Sequence, residues 1–298
     1  MYSIDKIKTI HLEVTQKCQA ACPMCDRNIN GGLDNPHITN AELTLDDCKK
    51  IFSPDFIQTL DIMFMCGNLG DPIIASDTLD IFDYFRSCNP NIWLSMNTNA
   101  GARDSEWWKS LAKVFNKKGA VIFSVDGLED TNSLYRQNVK WERVVNSMQS
   151  FISAGGRAKW DYLIFDHNEH QIEEAKRISQ EMGFWKFSSV KTDRFIMHDI
   201  RDGVDRVGRE YSLERPTDPQ HLIDAHHQYA RTMIEYYKRY ENRLANGDTV
   251  ETSINCEVAP KGQIFVGANG FVFPCCYTYG FYKRILVPDG ELSHGIKK

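Results

Sequence analysis

Six short apolar segments recur along the first two thirds of the chain, near Ile7–Val14, Leu60–Cys66, Ile92–Asn97, Ala120–Asp126, Trp160–Phe165 and Trp185–Val190. The stretches between them, among them "SDTLDIFDYFRSC", "SEWWKSLAKVF" and "NEHQIEEAKRISQEMG", place apolar residues at i, i+3 and i+4 spacing. Strands alternating with amphipathic helices at intervals of roughly 30 residues have the period of a βαβ unit, so a parallel sheet is expected. Six such units make an open or partial barrel, and ligands of such α/β folds collect at the carboxyl ends of the strands.

Length and charge narrow the possibilities. With 298 residues and ~100–200 residues per domain, one large α/β domain with a small appendage is the natural division. The net charge is −5 and no run of five or six like charges occurs, which removes electrostatic support for nucleic-acid or membrane-surface binding. The opening "MYSIDKIKTIHLE" lacks the basic-then-apolar layout of a signal peptide. No window approaches the ~18 consecutive apolar residues of a membrane span, so a cytoplasmic location is expected. In a reducing compartment, nine cysteines are not structural disulfides, and clustered ones indicate metal or redox chemistry.

Directly after the first predicted strand, "CQAACPMC" gathers Cys18, Cys22 and Cys25 on one short stretch. The pair "CPMC" alone fits a thioredoxin-like redox pair or half of a zinc site. Three thiolates on one loop can instead wrap three corners of an iron–sulfur cube and leave the fourth iron without a protein ligand. A structural zinc site wants four ligands, and the next candidate after Cys25, His37, stands beyond the Gly31-Gly32 turn.

C-x3-C-x2-C after a first strand resembles the radical S-adenosylmethionine (radical SAM) superfamily, with Met24 where family members usually carry an aromatic residue before the last cysteine. The resemblance implies a partial (β/α)6 radical SAM barrel in which Cys18, Cys22 and Cys25 hold a [4Fe-4S] cluster. Its open iron would chelate SAM, and an electron from a reducing donor such as flavodoxin or ferredoxin would cleave SAM to methionine and a 5′-deoxyadenosyl radical. That radical abstracts a hydrogen atom from a peptide or small-molecule substrate, the cofactor carrying the hard chemistry.

Other strand ends extend the resemblance. "CGNLGDP" looks like the glycine-rich segment that holds the SAM amino group, placing Gly67, Asn68, Gly70 and Asp71 among the cofactor-binding candidates. "SMNTNAG" resembles the family's Thr-Asn-Gly turn, so Asn97, Thr98 and Asn99 could donate to substrate or SAM or shape the turn. "FSVDGLEDTNSLYR" is similar to the family's Ser-x-Asp-Gly stretch, which assigns Ser124 to the SAM ribose and Arg136 to its carboxylate through the arginine fork. For Arg136 a surface ion pair with Glu129 or Asp130 is the plain alternative. Asp126 is the catalytic candidate, binding substrate or moving a proton. His167 and Asn168, or Asp193 and Arg194, would face the same cavity, with Asn168 read in the first place as the cap of the next helix.

Residues 196–250 read as a helical connector and residues 251–298 as a small C-terminal domain, with residues 1–195 forming the barrel. In the last segment apolar "QIFV", the turn "GANG" and "FVFP" read as a β-hairpin flanked by Cys256 and by Cys275-Cys276. This resembles the opening half of the SPASM and Twitch auxiliary-cluster domains and implies one further iron–sulfur cluster with Cys256, Cys275 and Cys276 as candidate ligands. A zinc-bound or metal-free hairpin is the alternative. For the whole chain the leading expectation is a radical SAM enzyme. Its rivals are a non-catalytic iron–sulfur or zinc protein, acting as electron carrier or assembly module, and a thiol oxidoreductase built on "CPMC".

Overall fold

Side chains along the central strands alternate between full burial and partial exposure, and this alternation sets the architecture. The computed structural model describes residues 3–29, 33–36, 38–192, 194–195, 200–222, 245–246 and 258–279. Strand β1 (Thr9–Leu12) is followed by the short pair β2 (Asn28–Ile29) and β3 (Leu33–Asp34), then by helices α1 (Leu45–Ile51) and α2 (Pro54–Gln58). The βα repeats follow: β4 (Ile62–Met65) with α3 (Thr78–Cys88), β5 (Trp93–Thr98) with α4 (Ser105–Phe115), and β6 (Gly119–Ser124) with α5 (Asn132–Tyr135) and α6 (Trp141–Ser153). Strand β7 (Ala158–Leu163) leads to α7 (Asp166–Glu169) and α8 (Ile172–Met182), and β8 (Lys186–Val190), β9 (Ile200–Val204), β10 (Glu210–Glu214), β11 (Gln263–Val266) and β12 (Val272–Phe273) come last.

The main sheet has the order β12-β11-β1-β4-β5-β6-β7-β8. Its pairings are parallel except that of β11 with β12. The order is linear, so the barrel is partial and open between β8 and β12. On one face Leu94, Met96, Val121, Phe123, Trp160 and Tyr162 are fully buried. Trp108 packs 5.5 Å from Phe123, Phe151 lies 6.0 Å from Phe123, and Phe82 meets Phe115 edge-on at 4.9 Å. Each such side chain contributes about 1.5–3 kcal/mol by leaving water, which makes this helix-covered face the source of stability. The opposite face carries the half-exposed Ser95, Asn97, Ser124, Lys159 and Asp161. Register places Ser124, Asp161 and Ser188 in one row across β6, β7 and β8.

One guanidinium closes the end of the sheet where β5 and β6 begin. Arg86 donates from Nε to the Val114 carbonyl at 3.0 Å, from Nη1 to Pro90 and Ile92 at 3.1 and 2.7 Å, and from Nη2 to Phe115 and Lys118 at 3.2 and 2.9 Å. All five N–H groups are used on carbonyls that end α4 or lead into β5 and β6.

Two segments differ from the sequence reading. The segment 196–250 read as helix, yet β9 and β10 within it form an antiparallel hairpin with Glu210 opposite Val204 and Glu214 opposite Ile200. The turn explains this: Asp205 Oδ1 accepts from the Val207 and Arg209 amides, both at 2.9 Å, and Gly208 sits at φ +84°. Asx-turn chemistry with a left-handed glycine favours strand reversal over helix. Of this segment, residues 196–199, 223–244 and 247–250 lie outside the described residues. The C-terminal hairpin forms from β11 and β12, but β11 also pairs in parallel with β1, from Thr9 opposite Gln263 to Leu12 opposite Val266. Its first strand therefore continues the barrel sheet. No helix of the described residues is long and apolar enough to cross a membrane.

Replacing Arg86 by leucine orphans carbonyls at the foot of β5 and β6. Arg86→Leu is expected to lower unfolding free energy by about 2–4 kcal/mol in urea titrations.

Candidate functional site

The chain leaves β1 and turns across the carboxyl ends of the strands, where polar side chains hold it. Thr15 forms a β-bridge with Glu42. Gln16, almost fully buried, donates from Nε2 to the Tyr279 hydroxyl at 2.8 Å and accepts from the Thr39 hydroxyl at 3.0 Å, and its amide donates to the Ala41 carbonyl at 2.9 Å. Arg27, also buried, hydrogen-bonds the Gln16 carbonyl and reaches Asn40 Oδ1 at 3.1 Å. Asn28 Nδ2 donates to the Cys22 carbonyl at 3.1 Å, and the Cys25 amide donates to the same oxygen at 3.1 Å. Arg194 Nη1 donates to the Met24 carbonyl at 2.6 Å.

Cys18, Cys22 and Cys25 share this loop as free thiols. Burial raises all three thiol pKa values, that of Cys25 to about 11, and the neighbouring thiols raise Cys18 and Cys25 further. At Cys22 the Arg136 charge opposes the effect of burial. A redox-active C-x-x-C pair works through a lowered thiol pKa, the opposite direction to the one burial produces here. Two sulfurs receive N–H donors: Arg136 Nη1 lies 3.8 Å from Cys22 Sγ and Asn99 Nδ2 lies 3.5 Å from Cys18 Sγ. Among the described residues no three His, Cys, Asp or Glu side chains gather closely enough for one metal ion. An iron–sulfur cube binds each thiolate at a separate metal, so thiols spread along one loop with N–H groups on their sulfurs suit it.

Each donor is held by a buried carboxylate. Asp71 lies in the glycine-rich loop and accepts from the Asn99 amide at 2.7 Å, the Thr98 hydroxyl at 3.2 Å and the Ile73 amide at 3.2 Å. Asn99 Oδ1 in turn accepts from the Gly101 amide at 2.9 Å and from Gln19 Nε2. Asp126, fully buried at the end of β6, bonds Arg136 Nε through Oδ2 at 2.6 Å and the Leu163 amide through Oδ1 at 2.7 Å. Burial pushes both carboxyl pKa values up, and these donors oppose it. Asp126 thus has both oxygens met within the protein, one by Arg136 Nε and the other by the Leu163 amide. The surface ion pair of Arg136 with Glu129 or Asp130 is replaced by this buried one.

The glycines answer to backbone crowding. A Cβ on Gly70 would stand 2.0 Å from the Thr15 carbonyl oxygen and 2.9 Å from that of Lys17, and one on Gly67 would stand 1.9 Å from the Gly70 carbonyl oxygen. The segment read as approaching a ligand is therefore pressed first against the cysteine loop. The Asp71 amide donates to the Lys17 carbonyl at 2.9 Å, and Glu13 Oε1 accepts from the Leu69 amide at 2.7 Å. Asn68 in this loop, Asn97 on β5 and Ser124 on β6 are half-exposed. His167, after β7, is half-buried and stacks on Phe165 at 5.3 Å, and burial lowers its pKa to about 4.

Cys256 and Asp193 lie outside the described residues. The adjacent Cys275 and Cys276 have different surroundings: Cys275 meets the Thr278 hydroxyl, whereas Cys276 packs on the cluster of Ile38, Leu69, Phe265 and Tyr279. Burial raises the Cys66 thiol to about 12, with the charge of Cys276 the next cause. Cys276 is thereby brought to the barrel side of the hairpin, beside the glycine-rich loop. Sequence reasoning missed Glu13, Gln16, Gln19, Arg27 and Tyr279. A carboxylate alternating with His11 in an otherwise apolar strand was the signal available for Glu13.

No protein-family model matches the chain and no curated protein matches its sequence. Solved structures do match. Streptococcus suis SuiB is 14% identical over 92% of this chain and 61% of its own, with a TM-score of 0.57. SuiB bound to its precursor peptide SuiA gives 15% identity and a TM-score of 0.59 over 92% of this chain and 60% of that one. Histidine-tagged anSMEcpe with bound AdoMet gives 13% identity and a TM-score of 0.58 over 91% of this chain and 72% of that one. The chain shares the fold of these proteins, a mostly parallel open α/β barrel. It spans about three fifths of the length of SuiB.

Alanine at position 70 forces apart the two loops that meet at the cysteines. Gly70→Ala is expected to cost about 2–4 kcal/mol in chemical denaturation.

Proposed function

We propose that this chain is a radical SAM enzyme acting on a peptide. The observation that carries the proposal is a loop of three thiols at the carboxyl ends of parallel strands, with N–H donors supplied to two of the sulfurs by residues from other strand ends. Cys18, Cys22 and Cys25 would hold a [4Fe-4S] cluster, which supplies one-electron cleavage of SAM to methionine and a 5′-deoxyadenosyl radical that takes a hydrogen atom from substrate.

The chain's own residues bind, orient and exclude water. The backbone of Gly67–Asp71 would receive the SAM amino group, Asn97 and Ser124 offer half-exposed polar groups on the inner face, and Arg136 brings positive charge to the same end of the barrel. Tyr135, fully buried, underlies Arg136 and Arg194, whose guanidinium carbons lie 5.3 and 5.7 Å from its ring centre. These groups shield the loop from water on that side, as chemistry with reactive intermediates requires. A peptide substrate is supported by SuiB bound to precursor peptide SuiA and by anSMEcpe with bound AdoMet and Cp18Cys peptide. Flavodoxin or ferredoxin is the class of electron donor proposed.

Anaerobically reconstituted protein with dithionite and SAM should release 5′-deoxyadenosine, measured by liquid chromatography. The triple variant Cys18→Ala, Cys22→Ala, Cys25→Ala should lose both that product and its iron. Metal binding without SAM cleavage would instead identify a non-catalytic iron–sulfur protein. About four irons per chain corresponds to one cluster and about eight to a second at Cys256 and the Cys275-Cys276 pair.

A further inference from the structure

Two thiols of the loop are each approached by one side-chain N–H donor, and each donor is fastened by a different buried aspartate. We propose that Arg136 and Asn99 are positioning residues that hydrogen-bond the cluster thiolates of Cys22 and Cys18, held there by Asp126 and Asp71, and that together they raise the cluster's reduction potential. The proposal rests on the reading that Cys18, Cys22 and Cys25 hold a [4Fe-4S] cluster.

The geometry supports a built arrangement. Asp126 is fixed at three points besides Arg136: its amide donates to Asn132 Oδ1 at 2.9 Å, its carbonyl accepts from Asn168 Nδ2 at 3.0 Å, and Oδ1 accepts from the Leu163 amide. Arg136 is therefore anchored through Nε, and its Nη1 is directed to Cys22 Sγ. On the other side Asp71 holds the Asn99 backbone, and the Asn99 side-chain oxygen is occupied by Gly101 and Gln19, which leaves Nδ2 for Cys18 Sγ. The two donors stand just past the ends of β5 and of α5, so only the assembled barrel brings both to the loop. Cys25 lacks such a side-chain donor among the described hydrogen bonds; Arg194 reaches the neighbouring Met24 carbonyl instead.

Reduction adds negative charge to the cluster. N–H donors on coordinating sulfurs favour the reduced state, one of the levers by which proteins set iron–sulfur potentials. Removing a donor therefore makes the cluster harder to reduce. The expected effect is about a tenfold shift of the reduction equilibrium per donor, about 59 mV more negative for a one-electron couple.

The test is an EPR-monitored potentiometric titration of reconstituted protein without SAM, with iron content measured on each sample. Arg136→Lys keeps a positive charge for Asp126 but shortens the fork that reaches Cys22, and Asn99→Ala removes the amide facing Cys18. Lys109→Met, on the exposed face of α4, serves as the control. Wild-type iron content with a more negative midpoint in both variants, and none in the control, is the result expected. Unchanged midpoints at wild-type iron content overturn the proposal. If Arg136→Lys loses the cluster, Asn99→Ala decides; loss of iron in both variants also overturns it, since tuning donors leave the ligands intact. Absence of a cluster from wild-type protein sinks the parent reading and is recognised by the iron count alone.

Discussion

The arrangement at the top of the barrel depends on two carboxylates that are kept out of water. Asp71 and Asp126 are almost completely enclosed, and a buried carboxylate is tolerable only when its oxygens are met by donors. Those donors are Asn99, Thr98 and Ile73 for Asp71, and Arg136 and Leu163 for Asp126. Satisfying them draws the ends of β5, β6 and β7 and the glycine-rich loop onto the cysteine segment. The electrostatic requirement of the carboxylates and the placement of N–H groups on sulfur are thus one structural solution.

The two faces and two ends of the sheet divide the work. Helix-covered side chains such as Leu94, Phe123 and Trp160 supply burial, and Arg86 ties the amino ends of β5 and β6. The other face carries serine, asparagine, lysine and aspartate at half exposure, with Lys159 and Asp161 ion-paired at 2.6 Å. Stability resides away from the chemistry, and polar groups are gathered where strands end. The hairpin β11–β12 adds to this plan by extending the sheet beside β1, with Tyr279 reaching back to Gln16.

Much of this was legible in the chain. The six strands read as short apolar segments between amphipathic helices correspond to β1 and β4 to β8, because parallel strands covered by helices are apolar runs at βαβ spacing. The cysteine spacing placed the candidate centre on the loop after β1, since side chains so close in sequence share a loop in any fold. The hairpin at 200–214 was misread because its reversal depends on the Asp205 side chain and a left-handed Gly208, local chemistry that a coarse helical reading passes over. The alternative surface pair of Arg136 with Glu129 or Asp130 was offered because its partner within the fold, Asp126, is revealed only when α5 folds back over the end of β6.

By itself the sequence determined the strand–helix alternation, the three-thiol loop and the strand ends that would surround it, all properties of residues near one another along the chain. Tertiary structure alone decided which carboxylate holds which donor, why Gly70 must be glycine, and that β11 completes the sheet beside β1. The physical reason is separation: Asp71 and Asn99, Cys22 and Arg136, Thr9 and Gln263 are far apart in sequence. Hydrogen bonds, close backbone approach and burial between them exist only once the sheet has assembled.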